Sequence, residues 1–355
     1  MAIVLSVDAM GGDHGINVTI PACIKFLQNK VNVRLIIVGD KDAIYKQIGA
    51  ELSNYSDRID IIHTTQIVEM DESPQSAMRN KKDSSMRVAI NQVKTNKAHA
   101  IVSAGNTGAL MATSRYVLRT MEGIDRPAIA KIMPTVTGEV CVLDLGANVE
   151  CSPEHLLQFG VMGAQLMKAV TKNPAPSVGI LNIGSEEIKG HEDIKRAHEL
   201  LKKSDLNFYG NVEGDDIHKG TVDVIVCDGF TGNIALKTIE GAAKMIGFFI
   251  KKEFTHNLLS KLMGLIAYPV IKRVKAKLDP RKYNGAVLLG LNGLVIKSHG
   301  GADALGFYYA LEQAYIEVNS GVLTLLEDYL RKNKHIFEKD EAKKELREFK
   351  DLSML

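Results

Sequence analysis

Short apolar segments recur along the chain, and each of them is closed by a turn signal. Most place β-branched and apolar residues at consecutive positions, as in VRLIIVG and VCVLDLG, instead of alternating them with polar residues. Consecutive apolar positions are typical of strands that are buried on both faces of a parallel sheet. The segments lie at 3–7, 33–39, 59–64, 98–105, 140–146, 177–184 and 222–230.

Helical periodicity fills several of the intervals between these segments, for example at 84–96 and 191–203. Alternation of strand and helix over this length indicates a wound, largely parallel α/β sheet with helices on both faces. We therefore predict a single α/β catalytic domain over residues 1–330.

Two parts of the chain depart from this pattern. Residues 240–278 are apolar and rich in lysine, and they predict a protruding helical hairpin with helices near 234–253 and 258–277. Residues 331–355 are densely charged and predict a solvated terminal helix or tail, to which we assign no function.

The composition is that of an ordinary globular protein, with 45% apolar and 24% charged residues. The formal net charge of +2 is too small to imply nucleic-acid binding by itself. The first residues resemble a buried strand more than a signal peptide. The longest uncharged apolar run, 262–271, is shorter than the roughly 20 residues of a spanning helix.

The four cysteines form no CxxC pair, and no Cys/His cluster has the spacing of zinc ligands. We therefore expect reduced, buried thiols in a cytoplasmic protein that has no metal site. The cysteines are Cys23, Cys141, Cys151 and Cys227.

Four of the predicted strands lead into turns rich in glycine and small polar residues, at 8–15, 103–110, 183–190 and 228–233. Glycine lets the backbone approach a ligand closely, and the helix that follows offers free N–H groups. In a parallel sheet such turns share the carboxyl edge. We therefore expect all four to form one crevice for a polar, anionic ligand.

Missing motifs restrict what this crevice binds. The sequence has no GxGxxG, no GxxxxGK[ST], no GxSxG and no HExxH. These absences argue against a dinucleotide, a nucleoside triphosphate, an enzyme nucleophile and a catalytic metal. We expect no cofactor.

The motifs DAMGGD, SAGNTGAL, LNIG followed by KG, VDVIVCDGFTGN and LLGLNGLVIKSHG occur in this order between residue 4 and about residue 318. Together they resemble the phosphate acyltransferases of bacterial glycerolipid synthesis (the PlsX family). The resemblance implies transfer of a long-chain fatty acyl group from acyl carrier protein to inorganic phosphate. It also implies a homodimer and a fold similar to that of isopropylmalate dehydrogenases and phosphotransacetylases.

This chemistry fits the residues. Phosphate is itself the nucleophile and a thioester is already activated, so the protein has to supply positioning and charge stabilisation. We assign catalytic roles to Lys189, as a cation for phosphate or oxyanion, and to Asn233, as an amide donor. The alternatives are a solvated lysine and a helix N-cap. The expected substrate-binding residues are Asp8, Gly11, Gly12, Asp13, His14, Asn106, Thr107, Asp144, Asn148, Asp228, Thr231 and His299.

The predicted hairpin carries apolar side chains beside a fringe of lysines, which suits a helix at an anionic membrane surface. We expect Leu258, Leu259 and Leu262 to contact lipid, with the protein bound peripherally to the inner face of the cell membrane. The resemblance adds contact with the glycerol 3-phosphate acyltransferase that consumes acyl phosphate. A dimer interface, a core hairpin or a surface for the acidic carrier protein would explain the same pattern.

Three other functions remain open at the level of sequence. A phosphotransacetylase using acyl-CoA shares the chemistry and differs in the acyl donor. A dehydrogenase on the same fold lacks its dinucleotide and metal signatures here. A non-catalytic lipid- or carrier-binding module would have no use for Lys189 and Asn233.

Overall fold

One mixed sheet contains all eleven strands of the part of the chain that the computed structural model describes, residues 2–277 and 279–334. In chain order the strands are β1 (Ile3–Asp8), β2 (Val33–Gly39), β3 (Ile59–His63), β4 (Ala100–Ser103), β5 (Ala128–Pro134), β6 (Glu139–Leu143), β7 (Ser177–Leu181), β8 (Asn207–Val212), β9 (Val224–Val226), β10 (Ala286–Leu289) and β11 (Leu294–Lys297). The strand order across the sheet is β3-β2-β1-β4-β11-β10-β5-β6-β9-β7-β8.

The sheet consists of two parallel blocks that run in opposite directions. Strands β1, β2, β3, β4 and β11 pair in parallel, and so do β6, β7, β8 and β9. Between the blocks, β11 pairs with β10, β10 with β5 and β5 with β6, each antiparallel. Three reversals in succession leave the second block antiparallel to the first.

This topology confirms the predicted wound α/β sheet and corrects one consequence drawn from it. The turns after β1 and β4 open at one edge of the sheet, and those after β7 and β9 open at the other. The expectation that all four turns share one edge is therefore wrong. It failed because β5 and β10, whose antiparallel pairing reverses the direction, were not among the predicted strands.

Helices cover both faces of the sheet, as predicted. Alternation within β2 shows the two faces, because Leu35 and Ile37 belong to one apolar cluster while Ile36 and Val38 belong to the other. The helices are α1 (Ile16–Asn29), α2 (Lys41–Ile48), α3 (Leu52–Tyr55), α4 (Pro74–Asn80), α5 (Ser85–Lys94), α6 (Thr107–Leu118), α7 (Pro153–Thr171), α8 (Glu192–Lys203), α9 (Asp216–Lys219), α10 (Gly229–Thr255), α11 (Leu258–Lys277), α12 (Ala304–Ser320) and α13 (Val322–Lys332).

The predicted hairpin is formed by α10 and α11, which meet where Phe254 lies against Gly264. Helix α10 begins at Gly229, earlier than predicted, because Asp228 caps it and accepts a hydrogen bond from Thr231 N at 2.8 Å. Throughout the described residues, no helix combines the length and the hydrophobicity that crossing a membrane requires. The charged segment predicted at 331–355 lies outside the described residues except for its first four.

Glu317 of α12 is a fully buried carboxyl, and Gln313 Nε2 donates a hydrogen bond to its Oε1 at 2.7 Å. Burial raises its pKa to about 7, against an ordinary value of 4.5. The folded state therefore binds the proton more tightly than the unfolded state. The stability that this proton contributes is fully present below pH 4.5 and is lost as the pH rises through about 7.

We expect Glu317→Gln to raise the free energy of unfolding by about 3 kcal/mol at pH 8, because the variant has no buried charge to form. At pH 4.5 the variant and the wild type should be equally stable. Urea unfolding at both pH values measures the difference, and an equal effect at the two values would contradict the assignment.

Candidate active site

Asp8, the last residue of β1, organises the first set of turns. It is buried, and its two carboxylate oxygens accept hydrogen bonds of 2.6 Å from the hydroxyls of Ser85 and Ser103. Burial raises the pKa of Asp8, and the two hydroxyls oppose that effect. Asp8 thus joins β1 to β4 and to α5 beneath the turns.

The turn after β1 lies against the turn after β11. Asp13 N donates to Gly300 O at 3.0 Å. Gly12 has a φ of +90°, and a Cβ there would lie 2.8 Å from the Ala104 side chain. Gly11 is similarly confined, since a Cβ would lie 2.5 Å from the Asp8 carboxylate. Glycine is therefore required where these turns meet.

His14 and Asn106 occupy different environments at this edge. His14 is exposed at the rim of the turn. Asn106 is the N-cap of α6, accepting from Ala109 N at 3.0 Å, and its amide donates to Met70 O and Glu72 O. Its side chain is thus fully engaged within the protein. Thr107, the next residue, is exposed.

His299 follows β11 and faces the same edge. Its Nδ1 accepts a hydrogen bond from Gly301 N at 3.0 Å, which assigns the ring proton to Nε2. Burial, followed by the charge of Lys237, lowers the pKa of His299. A neutral imidazole with a free Nε2–H is a hydrogen-bond donor for an anionic ligand.

Asp144 organises the second set of turns, at the end of β6. Its carboxylate accepts hydrogen bonds from Ile129 N at 2.9 Å, from Ala147 N at 3.1 Å, and from both nitrogens of Asn148 at 2.7 and 2.9 Å. Burial raises the pKa of Asp144 and these four donors oppose the shift. Asp144 therefore joins the turn after β6 to the neighbouring strand β5.

The start of α10 packs directly on this arrangement. Gly229 N donates to Asn148 O at 2.7 Å, and a Cβ at Gly232 would lie 2.0 Å from Asp144 O. Asp228 caps the helix and also accepts from the Thr231 hydroxyl at 2.8 Å. The first turn of α10 is therefore held against backbone on one side.

Asn233 and Lys189 follow adjacent strands of the sheet, β9 and β7 respectively. Asn233 is the fifth residue of α10, exposed and beside Gly146, so it is not the N-cap. Lys189 lies in the turn after β7, where its carbonyl accepts from Asn182 Nδ2 at 3.1 Å. Its side chain is exposed.

Helix α10 connects the two edges. Asn233, Lys237 and Glu240 lie on one helix face at spacings of four and three residues. Lys237 Nζ pairs with Glu240 at 3.0 Å, and both residues act electrostatically on His299. The helix therefore runs from the second set of turns back towards the first.

Three lysines near His299 were not among the sequence-based candidates, namely Lys131, Lys237 and Lys297. Lys131 and Lys297 do carry a local signal, since each interrupts an apolar strand segment, AIAKIM and LVIKSH. Lysine is rarely buried without a partner. Lys237 has no such signal on a long helix rich in lysine.

The sheet topology and the turns at its edges define the phosphotransacetylase class of α/β fold. A phosphotransacetylase from Streptococcus pyogenes superposes with a TM-score of 0.59 at 16% identity, covering 91% of this chain and 94% of that one. A phosphotransacetylase from Staphylococcus aureus gives a TM-score of 0.56 at 17% identity, covering 90% and 94%. At these identities the likeness shows the fold.

Sequence comparison identifies the family. The model described as "Fatty acid synthesis protein" matches residues 3–325, and the chain belongs to that family. A phosphate acyltransferase of Chromobacterium violaceum is 57% identical over 342 residues, covering 96% of this chain and 99% of that one. A phosphate acyltransferase of Hydrogenovibrio crunogenus is 56% identical, covering 92% and 97%. The resemblance inferred from the motifs is confirmed.

Proposed function

We propose that the protein is a phosphate acyltransferase, which transfers a long-chain fatty acyl group from acyl carrier protein to inorganic phosphate. The observation that carries this proposal is 57% identity, over nearly the whole of both chains, to a protein of that name. The glycine-rich turns and the cationic side chains near His299 support an anionic substrate.

The reaction needs no further reactant. An oxygen of hydrogen phosphate attacks the thioester carbonyl carbon, and the new C–O bond forms as the C–S bond breaks. The proton of hydrogen phosphate ends on the departing thiolate. Atoms and charge therefore balance between the thioester and phosphate on one side and the acyl phosphate and thiol on the other. The protein contributes orientation and stabilisation of the oxyanion.

Within this proposal, Asn233 donates its amide N–H to the carbonyl oxygen as negative charge develops there. Lys189, on the turn after the neighbouring strand, supplies a cation to the oxyanion or to phosphate. Their positions after two adjacent strands support a joint role. The glycine turns of both edges and His299 position the substrates.

The direct test mixes the purified protein with palmitoyl-[acyl carrier protein] and radiolabelled phosphate, without ATP or added metal. We expect labelled acyl phosphate from this donor and little from palmitoyl-CoA. Product mainly from the CoA donor would favour a phosphotransacetylase. Absence of product from both donors would reject acyl transfer to phosphate.

We further propose that the protein is a cytoplasmic homodimer that binds peripherally to the inner face of the cell membrane. There it would deliver acyl phosphate to the glycerol 3-phosphate acyltransferase. The exposed tip of α11 supports the lipid contact, since Leu258 is 85%, Leu259 68% and Leu262 55% exposed. Lysines border these side chains, among them Lys261 and Lys252.

The double substitution Leu258→Glu with Leu259→Glu should abolish sedimentation with anionic liposomes, because it places two charges in the proposed lipid contact. Val31→Glu, at a site that is 76% exposed and distant in sequence, is the matched control. Sedimentation velocity should show the same oligomeric state for all three proteins. Unchanged liposome binding by the double variant would reject the lipid contact.

A further inference from the structure

A row of register partners, one on each of four neighbouring strands, crosses the middle of the sheet. Lys297 of β11 lies opposite Ser103 of β4 and opposite Ala286 of β10. The pairing of Val287 with Ala130 continues the register, so that Ala286 lies beside Lys131 of β5. Paired residues point to the same face of a sheet. Two lysines therefore flank an alanine on the face that α5, α6 and α10 cover.

Lys297 is only 8% exposed. Its Nζ donates to Ala104 O at 3.1 Å and to Ser298 O, which leaves one N–H of the ammonium group for another acceptor. Among the described residues, no carboxylate lies within ion-pair distance of this ammonium group. The two carbonyls hold the side chain in place without neutralising it.

Lys131 is mostly buried, and no hydrogen bond or ion pair engages its ammonium group within the part of the chain that the structure describes. Burial lowers the pKa of Lys131, and it lowers the pKa of Lys297 to about 8. An ammonium group kept from water without an anion is unfavourable. Two such groups two strands apart favour an anion between them.

Three carboxylates act electrostatically on these two lysines, and two of the three have bonding partners of their own. Glu240 is paired with Lys237 at 3.0 Å, so the carboxylate nearest to Lys131 is already engaged. Asp8 and Asp13 act on Lys297 from the other side, where Asp8 is held by two serine hydroxyls and Asp13 is exposed. His299 lies near Lys237 and has its Nε2–H free for a ligand.

The strand register places only a small side chain between the two lysines. Residues two strands apart in a sheet have backbones about 10 Å apart, and the side chain between these lysines is only a methyl group. The Lys131 ammonium group has no anchor among the described residues, and Lys297 offers the one N–H that Ala104 O and Ser298 O leave unused. A phosphate dianion can accept hydrogen bonds from both lysines. The phosphodiester in the prosthetic group of the acyl carrier protein, by contrast, carries a single charge.

We propose that Lys131 and Lys297 form the subsite for the phosphate dianion, with Lys237 and His299 beside it. This inference rests on the proposed function, and it deepens it by naming the residues that hold the attacking phosphate. It places the nucleophile over β10, near the turn that precedes α6 and near Lys237 of α10.

The test compares Lys131→Met and Lys297→Met with Lys94→Met, an exposed lysine at the end of α5 that serves as the matched control. Methionine keeps the length of the chain and removes the charge. Each protein is assayed for the KM of phosphate and of palmitoyl-[acyl carrier protein], and for binding of radiolabelled phosphate by equilibrium dialysis. Thermal unfolding verifies that Lys297→Met is folded, and Lys131→Met tests the subsite at a less buried position.

We expect each of the two variants to weaken phosphate affinity by about tenfold or more, with the KM of the carrier-linked donor and the Lys94→Met control unchanged. Wild-type phosphate affinity in both variants would overturn the subsite. A rise confined to the KM of the carrier-linked donor would also overturn it. The lysines would then bind the prosthetic group of the acyl carrier protein. Lysine-dependent phosphate binding by a wild-type protein that makes no acyl phosphate would uphold the subsite and reject the proposed function.

Discussion

Asn233→Ala is expected to lower kcat for acyl phosphate formation by about 100- to 1,000-fold, the effect of losing one hydrogen-bond donor to a developing oxyanion. The side chain is exposed in the first turns of α10, and Asp228 is the residue that caps the helix. Removing the amide should therefore take away the proposed donor to substrate without removing a structural bond of the helix start. Steady-state kinetics with both substrates measures the loss.

The matched control for this prediction is Thr238→Ala, an exposed position further along the same helix. It should leave kcat within about twofold, as expected for a surface substitution without a special role. Lys189→Ala should resemble Asn233→Ala if the two residues serve the same oxyanion, and the double variant should then lose less than the product of the two effects. A wild-type kcat in Asn233→Ala would remove Asn233 from the mechanism.

Asp144→Ala is expected to lower the free energy of unfolding by about 4 kcal/mol or more and to abolish activity. Four N–H donors converge on this buried carboxylate, and each donor left without an acceptor costs about 1–3 kcal/mol. The same bonds shape the turn on which Gly229 and Gly232 rest. Urea unfolding gives the stability, and the acyl phosphate assay gives the activity.

Asp144→Asn distinguishes the contributions of the two oxygens of this carboxylate to stability. One oxygen accepts from Ile129 N and Ala147 N, and the other accepts from both nitrogens of Asn148. An amide preserves one acceptor and turns the other into a donor. The loss of stability should therefore be intermediate between wild type and Asp144→Ala. A loss below about 1 kcal/mol in the alanine variant would contradict the role of these hydrogen bonds.

The sequence singled out three aspartates as substrate-binding residues, which stays a prediction, and the structure shows what each does within the fold. Asp8, Asp144 and Asp228 each follow an apolar strand, and the structure gives each a capping or bridging role at that strand's end. Gly12 and Gly232 lie where a side chain would collide with a neighbouring turn or with backbone. The Asp228 cap is local, since it bonds a residue three positions away, whereas Asp8 bonds serines 77 and 95 residues away. The sequence therefore located these residues without specifying most of their partners.

Lys131 and Lys297 were missed because they lie on strands that the sequence analysis did not predict. Strands β10 and β11 have four residues each, and Lys131 and Lys297 interrupt the apolar pattern of β5 and β11. Neither lysine was therefore chosen as a candidate site residue, although a lysine inside a buried strand is unusual. Their relation to each other depends on the pairing of both strands with β10, which no local pattern specifies.

The amino-acid sequence by itself determined the α/β class, the hairpin, the glycine-rich turns and the family, because each rests on local apolar periodicity or on contiguous motifs. Only the tertiary structure decided which edge of the sheet each turn occupies and that Lys131 and Lys297 flank Ala286. Strand direction and register depend on contacts between segments more than 100 residues apart, such as β5 with β10. Side-chain sterics and turn chemistry, which act between neighbours in sequence, cannot specify such contacts.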